Sequence, residues 1–162
     1  MQNKEFFLNP GELIFSKKEI VIKTILGSCV AVSLHDKKNK YGGMCHFLLP
    51  ESEQNVISTK YGNIAVLTLI KKFLKAGCSV ESMEASIIGG AFIMFNEKEI
   101  FFIGDRNSEI ARQILKNHKI KIKSINTGGE HGKRVIFNTY TNTLIVQPLE
   151  LTSIDDLYNP GK

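Results

Sequence analysis

The chain has 162 residues, 43% of them hydrophobic and 23% charged, with a formal net charge of +5. That balance fits a soluble globular domain large enough to bury its own core. The lysines are scattered rather than interleaved with aromatics, no zinc-finger spacing occurs, and apolar runs such as EASIIGGAFIMF are too short to cross a bilayer. Nucleic acid and membrane insertion are therefore not expected.

The first fifteen residues carry Glu5 and Glu12 and lack the basic start and apolar stretch of a secretory signal, so the cytoplasm is the expected compartment. Residues 20–25 and 29–35 read as strands interrupted by Gly27-Ser28. The polar DKKNKYGG turn follows, and GGMCHFLLP reads as the returning strand of a hairpin-like pair. Residues 60–76 place Ile64, Leu67, Ile70 and Leu74 at helical spacing, with Gly77 suited to the C-terminal cap. MEASIIGGAFIMF reads as a strand with a Gly-Gly interruption and IFFIG as another.

A second helix is expected from a cap at Asn107 or Ser108 to about His118, with Ile110, Ala111, Ile114 and Leu115 inward. KIKIKSINTGG alternates with period two, and KRVIFNTYTNTLIVQPL reads as a final hairpin around Thr141-Asn142. TSIDDLYNPGK carries little pattern. Many strands and two long helices predict an α+β fold, one domain over residues 1–162, and a monomer.

Three cysteines leave at least one unpaired, and in a reducing compartment all three are expected as thiols. Cys29, between a Gly-Ser turn and a valine-rich strand, is either a small core residue or a nucleophile presented at a strand end. His46 lies on the strand expected beside it and is the candidate base, and turn N–H groups near Cys29 are candidate oxyanion donors. Cys45 and His46 should point to opposite strand faces, which argues against a shared metal site, and Cys78 reads as structural. His35, His118 and His131 sit beside polar residues and are expected to be exposed. In TGGEHGKR no Lys-Ser/Thr follows the glycines, so a structural turn is favoured over a phosphate loop. Asp105 and Arg106 read as a surface pair.

Taken in order, TILGSCVAVSLHD, YGGMCHFLLPE, IIGGAFIMF, IGDRN and NTGGEHGKRVIFNTYTNTL resemble the successive motifs of CheD, the chemoreceptor glutamine deamidase family, over about residues 12–148. The resemblance implies β-sheets packed as a sandwich with helices outside. It implies hydrolysis of selected glutamine side chains on methyl-accepting chemotaxis receptors to glutamate and ammonia through a thioester, without metal or organic cofactor. Cys29 matches the family nucleophile and His46 its general base, with His46 lowering the pKa of the thiol. Thr24 matches the third member of the triad, although some members carry that threonine one residue earlier, where this chain has Lys23. A CheC-like phosphatase is a further implied partner. A non-catalytic module that docks on receptors or on such a phosphatase is the competing reading. The hydrolase reading calls for a sulfur open to incoming amides with the imidazole close by.

Overall fold

The computed structural model describes residues 4–52, 56–92 and 103–150. Its strands are β1 (Lys4–Phe7), β2 (Leu13–Ser16), β3 (Ile20–Leu26), β4 (Val30–Asp36), β5 (Tyr41–Phe47), β6 (Met83–Gly89), β7 (Lys121–Thr127), β8 (Lys133–Asn138) and β9 (Leu144–Pro148). Among the described residues, helices α1 (Gly62–Lys75) and α2 (Ile103–Asn117) complete the framework with a 3₁₀ turn at Val80–Ser82. The strands form a four-stranded sheet in the order β1-β3-β8-β9 and a five-stranded sheet in the order β2-β5-β4-β6-β7.

Side-chain alternation divides the core into two layers. On one face of the five-stranded sheet, Val30, Val32, Leu34, Cys45 and Phe47 pack under Ala65, Leu69 and Phe73 of α1 and Ile114 and Leu115 of α2. On its other face, Ala31, Met44 and Ile88 meet Ile22 and Leu26 of β3 and Val135 and Phe137 of β8. The arrangement is α+β, with helices outside a two-sheet sandwich, as the sequence implies. Covered on both sides, β4 is buried at every position, including Ser33, His35 and Asp36.

Most elements match their sequence expectations. The β4–β5 hairpin is antiparallel, with Ala31 opposite His46. Helix α1 stops at Gly77, whose φ of +92° is the left-handed conformation glycine adopts freely. The final hairpin turns through Asn142, also at positive φ.

Three readings need correction. Helix α2 starts at Ile103, so Asn107 is not its cap but a buried residue inside it, and Ile103-Gly104 are helical rather than strand. Residues 100–102 of IFFIG, residues 93–95 of the FIMF run and residues 151–162 lie outside the described residues. In β7 the period-two pattern breaks at a register shift opposite Ala85/Ser86, after which Ile125 is 49% exposed. His35 is buried rather than exposed, its Nδ1 lying 3.0 Å from the Thr139 carbonyl oxygen. His118 is half-buried and His131 exposed.

Candidate active site

The turn between β3 and β4 carries Cys29, and three contacts pin its backbone. The Gly27 carbonyl accepts from the Ala91 N–H (2.9 Å), and the Cys29 carbonyl accepts from the Gly90 N–H (2.8 Å). The Ser28 carbonyl accepts from Asn107 Nδ2 (3.1 Å). In a trans peptide the N–H points opposite to the carbonyl. With the Gly27 and Ser28 carbonyls held this way, the N–H groups of Ser28 and Cys29 face away from those partners.

Glycine makes this close approach possible. Gly89 has a φ of +110°, and a Cβ there would collide with the Cys29 carbonyl oxygen. Gly90, at φ +63°, lies against Gly104 at the first turn of α2. The TGGEHGKR segment supports the same place: Gly128 N–H donates to the Gly89 carbonyl, and Phe92 N–H donates to the Gly129 carbonyl. Lys133 Nζ donates to the carbonyls of Asn126 (3.0 Å), Gly128 (3.2 Å) and Gly89 (3.4 Å). Burial lowers the pKa of that ammonium. Engaged with three carbonyls, Lys133 serves a structural turn, as expected of this segment.

His46 enters from β5, in the sheet that also bears Cys29, and Thr24 enters from β3 in the opposite sheet. Within β3, Ile22 and Leu26 face the sandwich interior, and Thr24 shares their parity. Lys23 points the other way and pairs with Glu5 at 2.9 Å. The Thr24 Oγ1 lies 2.8 Å from His46 Nδ1 and donates to the Leu8 carbonyl at 2.7 Å. Thr24 thus meets the histidine from the position at which it occurs here.

The tautomer is assigned from the proton inventory of this chain of contacts. A threonine hydroxyl has one hydrogen, and Leu8 receives it. Thr24 Oγ1 can therefore only accept from the imidazole, so Nδ1 carries the proton and Nε2 presents a lone pair. Nε2 is buried and has no hydrogen-bond partner among the described residues. The backbone of His46 is held on both sides, its carbonyl accepting from Gly11 N–H and its N–H donating to the Glu12 carbonyl.

Burial pushes the pKa of His46 down to about 4, against the opposing pull of the Leu8 carbonyl. The ring is neutral near pH 7. A neutral ring brings no charge to its surroundings. Exposure departs from expectation: Cys29 is 2% exposed and His46 0%, so the sulfur is not open at the surface.

The other thiols are poor nucleophiles. Cys45 lies among the helix-facing core residues, on the opposite strand face from His46, and burial pushes its thiol up to about 12. Cys78 is pushed up to about 11 by burial and by the neighbouring Asp36 carboxylate. Among the described residues, no cluster of His, Cys, Asp and Glu is arranged to hold a metal. Asp105 and Arg106 are exposed.

Sequence reasoning gave Asn107 only a capping role, yet it is fully buried and donates both amide hydrogens, to the carbonyls of Ser28 (3.1 Å) and Leu48 (2.9 Å). Sequence reasoning passed over Leu8. The signal for Asn107 was its place in IGDRN, three residues after the glycine that lets α2 meet Gly90. Nothing in the sequence marked a backbone carbonyl at residue 8.

Cys29 on its pinned turn and His46, whose Nδ1 meets Thr24, both belong to the layer between the two sheets. A family model described as CheD chemotactic sensory transduction matches residues 48–148. A Sulfurimonas denitrificans protein named "Probable chemoreceptor glutamine deamidase CheD" is 34% identical over 154 residues, covering 94% of this chain and 99% of its own. A Trichlorobacter lovleyi protein of the same name is 35% identical over 144 residues, covering 88% and 89%. The chain belongs to the CheD family. A crystal structure of a Neisseria meningitidis DUF152 protein aligns with a TM-score of 0.46 and 10% identity over 78% of this chain and 64% of that one, too distant to bear on function.

Proposed function

We propose that the chain is a glutamine deamidase acting on chemoreceptors, with Cys29 as nucleophile, His46 as general acid and base, and Thr24 as the residue that orients His46. The observation that carries this reading is the Leu8–Thr24–His46 relay, which leaves Nε2 as the acceptor nitrogen. The names of the relatives supply the substrate class, the side-chain amide of receptor glutamines.

In this mechanism the Cys29 sulfur attacks the glutamine Cδ as its proton passes to His46 Nε2. A neutral base suits such a concerted transfer better than a preformed thiolate–imidazolium pair. The N–H groups of Ser28 and Cys29 are the candidate donors to the oxyanion. His46 then returns the proton to the departing nitrogen, ammonia leaves, and a thioester remains on Cys29. Water attacks the thioester while giving its proton to His46. The sulfur departs, regains that proton, and glutamate is released. Because Cys29 and His46 are buried, the site has to open locally before the amide can reach the sulfur.

That burial is also the observation that favours the competing reading, a docking module without catalysis. The two separate in one experiment: incubation with a cytoplasmic receptor fragment, followed by mass spectrometry for a gain of about one dalton at individual glutamines. The enzyme reading expects conversion by the wild type and none by folded Cys29→Ala or His46→Ala. A wild type that binds the fragment and leaves every glutamine intact sinks it.

A further inference from the structure

The turn that carries Cys29 is braced from behind by α2. Asn107 Nδ2 donates to the Ser28 carbonyl (3.1 Å) and to the Leu48 carbonyl (2.9 Å), two residues beyond His46. Only an NH₂ group can donate to two carbonyls, so these partners assign the orientation of the side chain. Its Oδ1 is buried and has no hydrogen-bond partner among the described residues. What the amide contributes is therefore its two donors, and both hold main chain. The platform beneath it is firm: Asn107 is fully buried, Gly104 packs on Gly90, and Gly90 N–H donates to the Cys29 carbonyl.

The Ser28 carbonyl and the Cys29 N–H belong to one planar peptide unit and point in opposite directions. A donor that fixes the carbonyl on one side therefore fixes the N–H on the other. We infer that Asn107 is a positioning residue, acting through the Ser28–Cys29 peptide unit to aim the Cys29 N–H at the developing oxyanion. The inference rests on the deamidase reading and adds to it the group that preorganises this donor. Asn107 itself touches no substrate atom. Oxyanion donors accelerate acyl transfer only when they are already aligned as charge develops. Released from Nδ2, the peptide unit can rotate about the single bonds on either side, and the N–H loses its aim. The second bond ties the same turn to the chain just past β5, the strand that bears His46.

Two reactions of the same sulfur separate alignment from general structure. Deamidation of a receptor glutamine passes through a tetrahedral oxyanion, whereas alkylation of Cys29 by iodoacetamide is a displacement at saturated carbon and forms none. Both need the site to open and the sulfur to lose its proton, so their ratio isolates the oxyanion donor. Wild type and Asn107→Ala are compared in deamidation of a cytoplasmic receptor fragment and in alkylation of the Cys29 peptide, both read by mass spectrometry. Thermal melting checks folding. Asn107→Ala is expected to lower kcat for deamidation about tenfold or more while alkylating at the wild-type rate. An unchanged ratio of the two rates in the folded variant, whether both hold or both fall, overturns the inference and leaves the deamidase reading intact. A wild type that leaves every glutamine unconverted refutes the deamidase reading, and one whose Cys29 resists alkylation removes the nucleophile; the inference falls with either. Should Asn107→Ala fail to fold, Asn107→Ser keeps one donor and fills more of the space, and the same ratio decides.

Discussion

Replacing Thr24 by valine removes one hydroxyl and almost no volume from a fully buried position. The Leu8 carbonyl and His46 Nδ1–H both lose the hydroxyl and keep only their contact with each other. A lost hydrogen bond at each buried group costs about 1–3 kcal/mol, partly offset by that contact and because the hydroxyl itself no longer has to be desolvated. A net loss of about 2 kcal/mol is expected, which in a chain of this size lowers the Tm by roughly 4–8 °C. The effect on chemistry is separate. Without the oxygen that accepts from Nδ1–H, the tautomer with hydrogen on Nε2 becomes competitive, and a preference resting on one hydrogen bond is worth about tenfold. Deamidation of a receptor fragment, followed by mass and measured below the Tm of the variant, should therefore fall about tenfold in kcat. Thr24→Ser, which keeps the oxygen, should stay near the wild type in rate. The relay argument is refuted if valine supports wild-type turnover, or if serine is as slow as valine.

Acid titration offers a second test. His46 titrates at about 4 in the fold against its ordinary 6.5, so between these values the unfolded chain binds the extra proton and stability falls as pH drops. The effect amounts to about 3 kcal/mol once pH is below 4, with buried His35 acting in the same direction, and urea melts of His46→Gln should show a flatter slope over this window. The acid limb of deamidation should likewise lie nearer pH 4 than 6.5, and a limb at 6.5 would contradict a buried neutral ring. Gly89→Ala combines a positive φ with a collision at the Cys29 carbonyl, so a loss of at least ~2 kcal/mol in denaturant melts is expected, together with reduced turnover. Cys45→Ala should cost about 1–2 kcal/mol by leaving a small cavity while sparing activity. Neither Cys45 nor Cys78 should be alkylated by iodoacetamide at pH 8, since both thiols remain protonated there.

Local pattern was enough to locate β3, β4, β5, α1 and the final hairpin, because alternation, helical spacing and turn glycines are properties of neighbouring residues. It was also enough to set Cys45 and His46 on opposite faces of one strand, and the motifs taken in order carried the family. Composition and spacing were silent on burial across the two sheets. His35 reads as polar surface until both faces of its sheet are covered, and Asn107 reads as a cap until α2 is seen to begin four residues earlier. Thr24 and His46 are 22 residues apart, and only the packing of one sheet on the other brings them to 2.8 Å. The protonated nitrogen of His46 depends on a carbonyl at residue 8, a group every residue possesses and no sequence motif distinguishes. Residue types at a site can be read along the chain, but a hydrogen bond requires two atoms to meet, and tertiary packing decides which ones do.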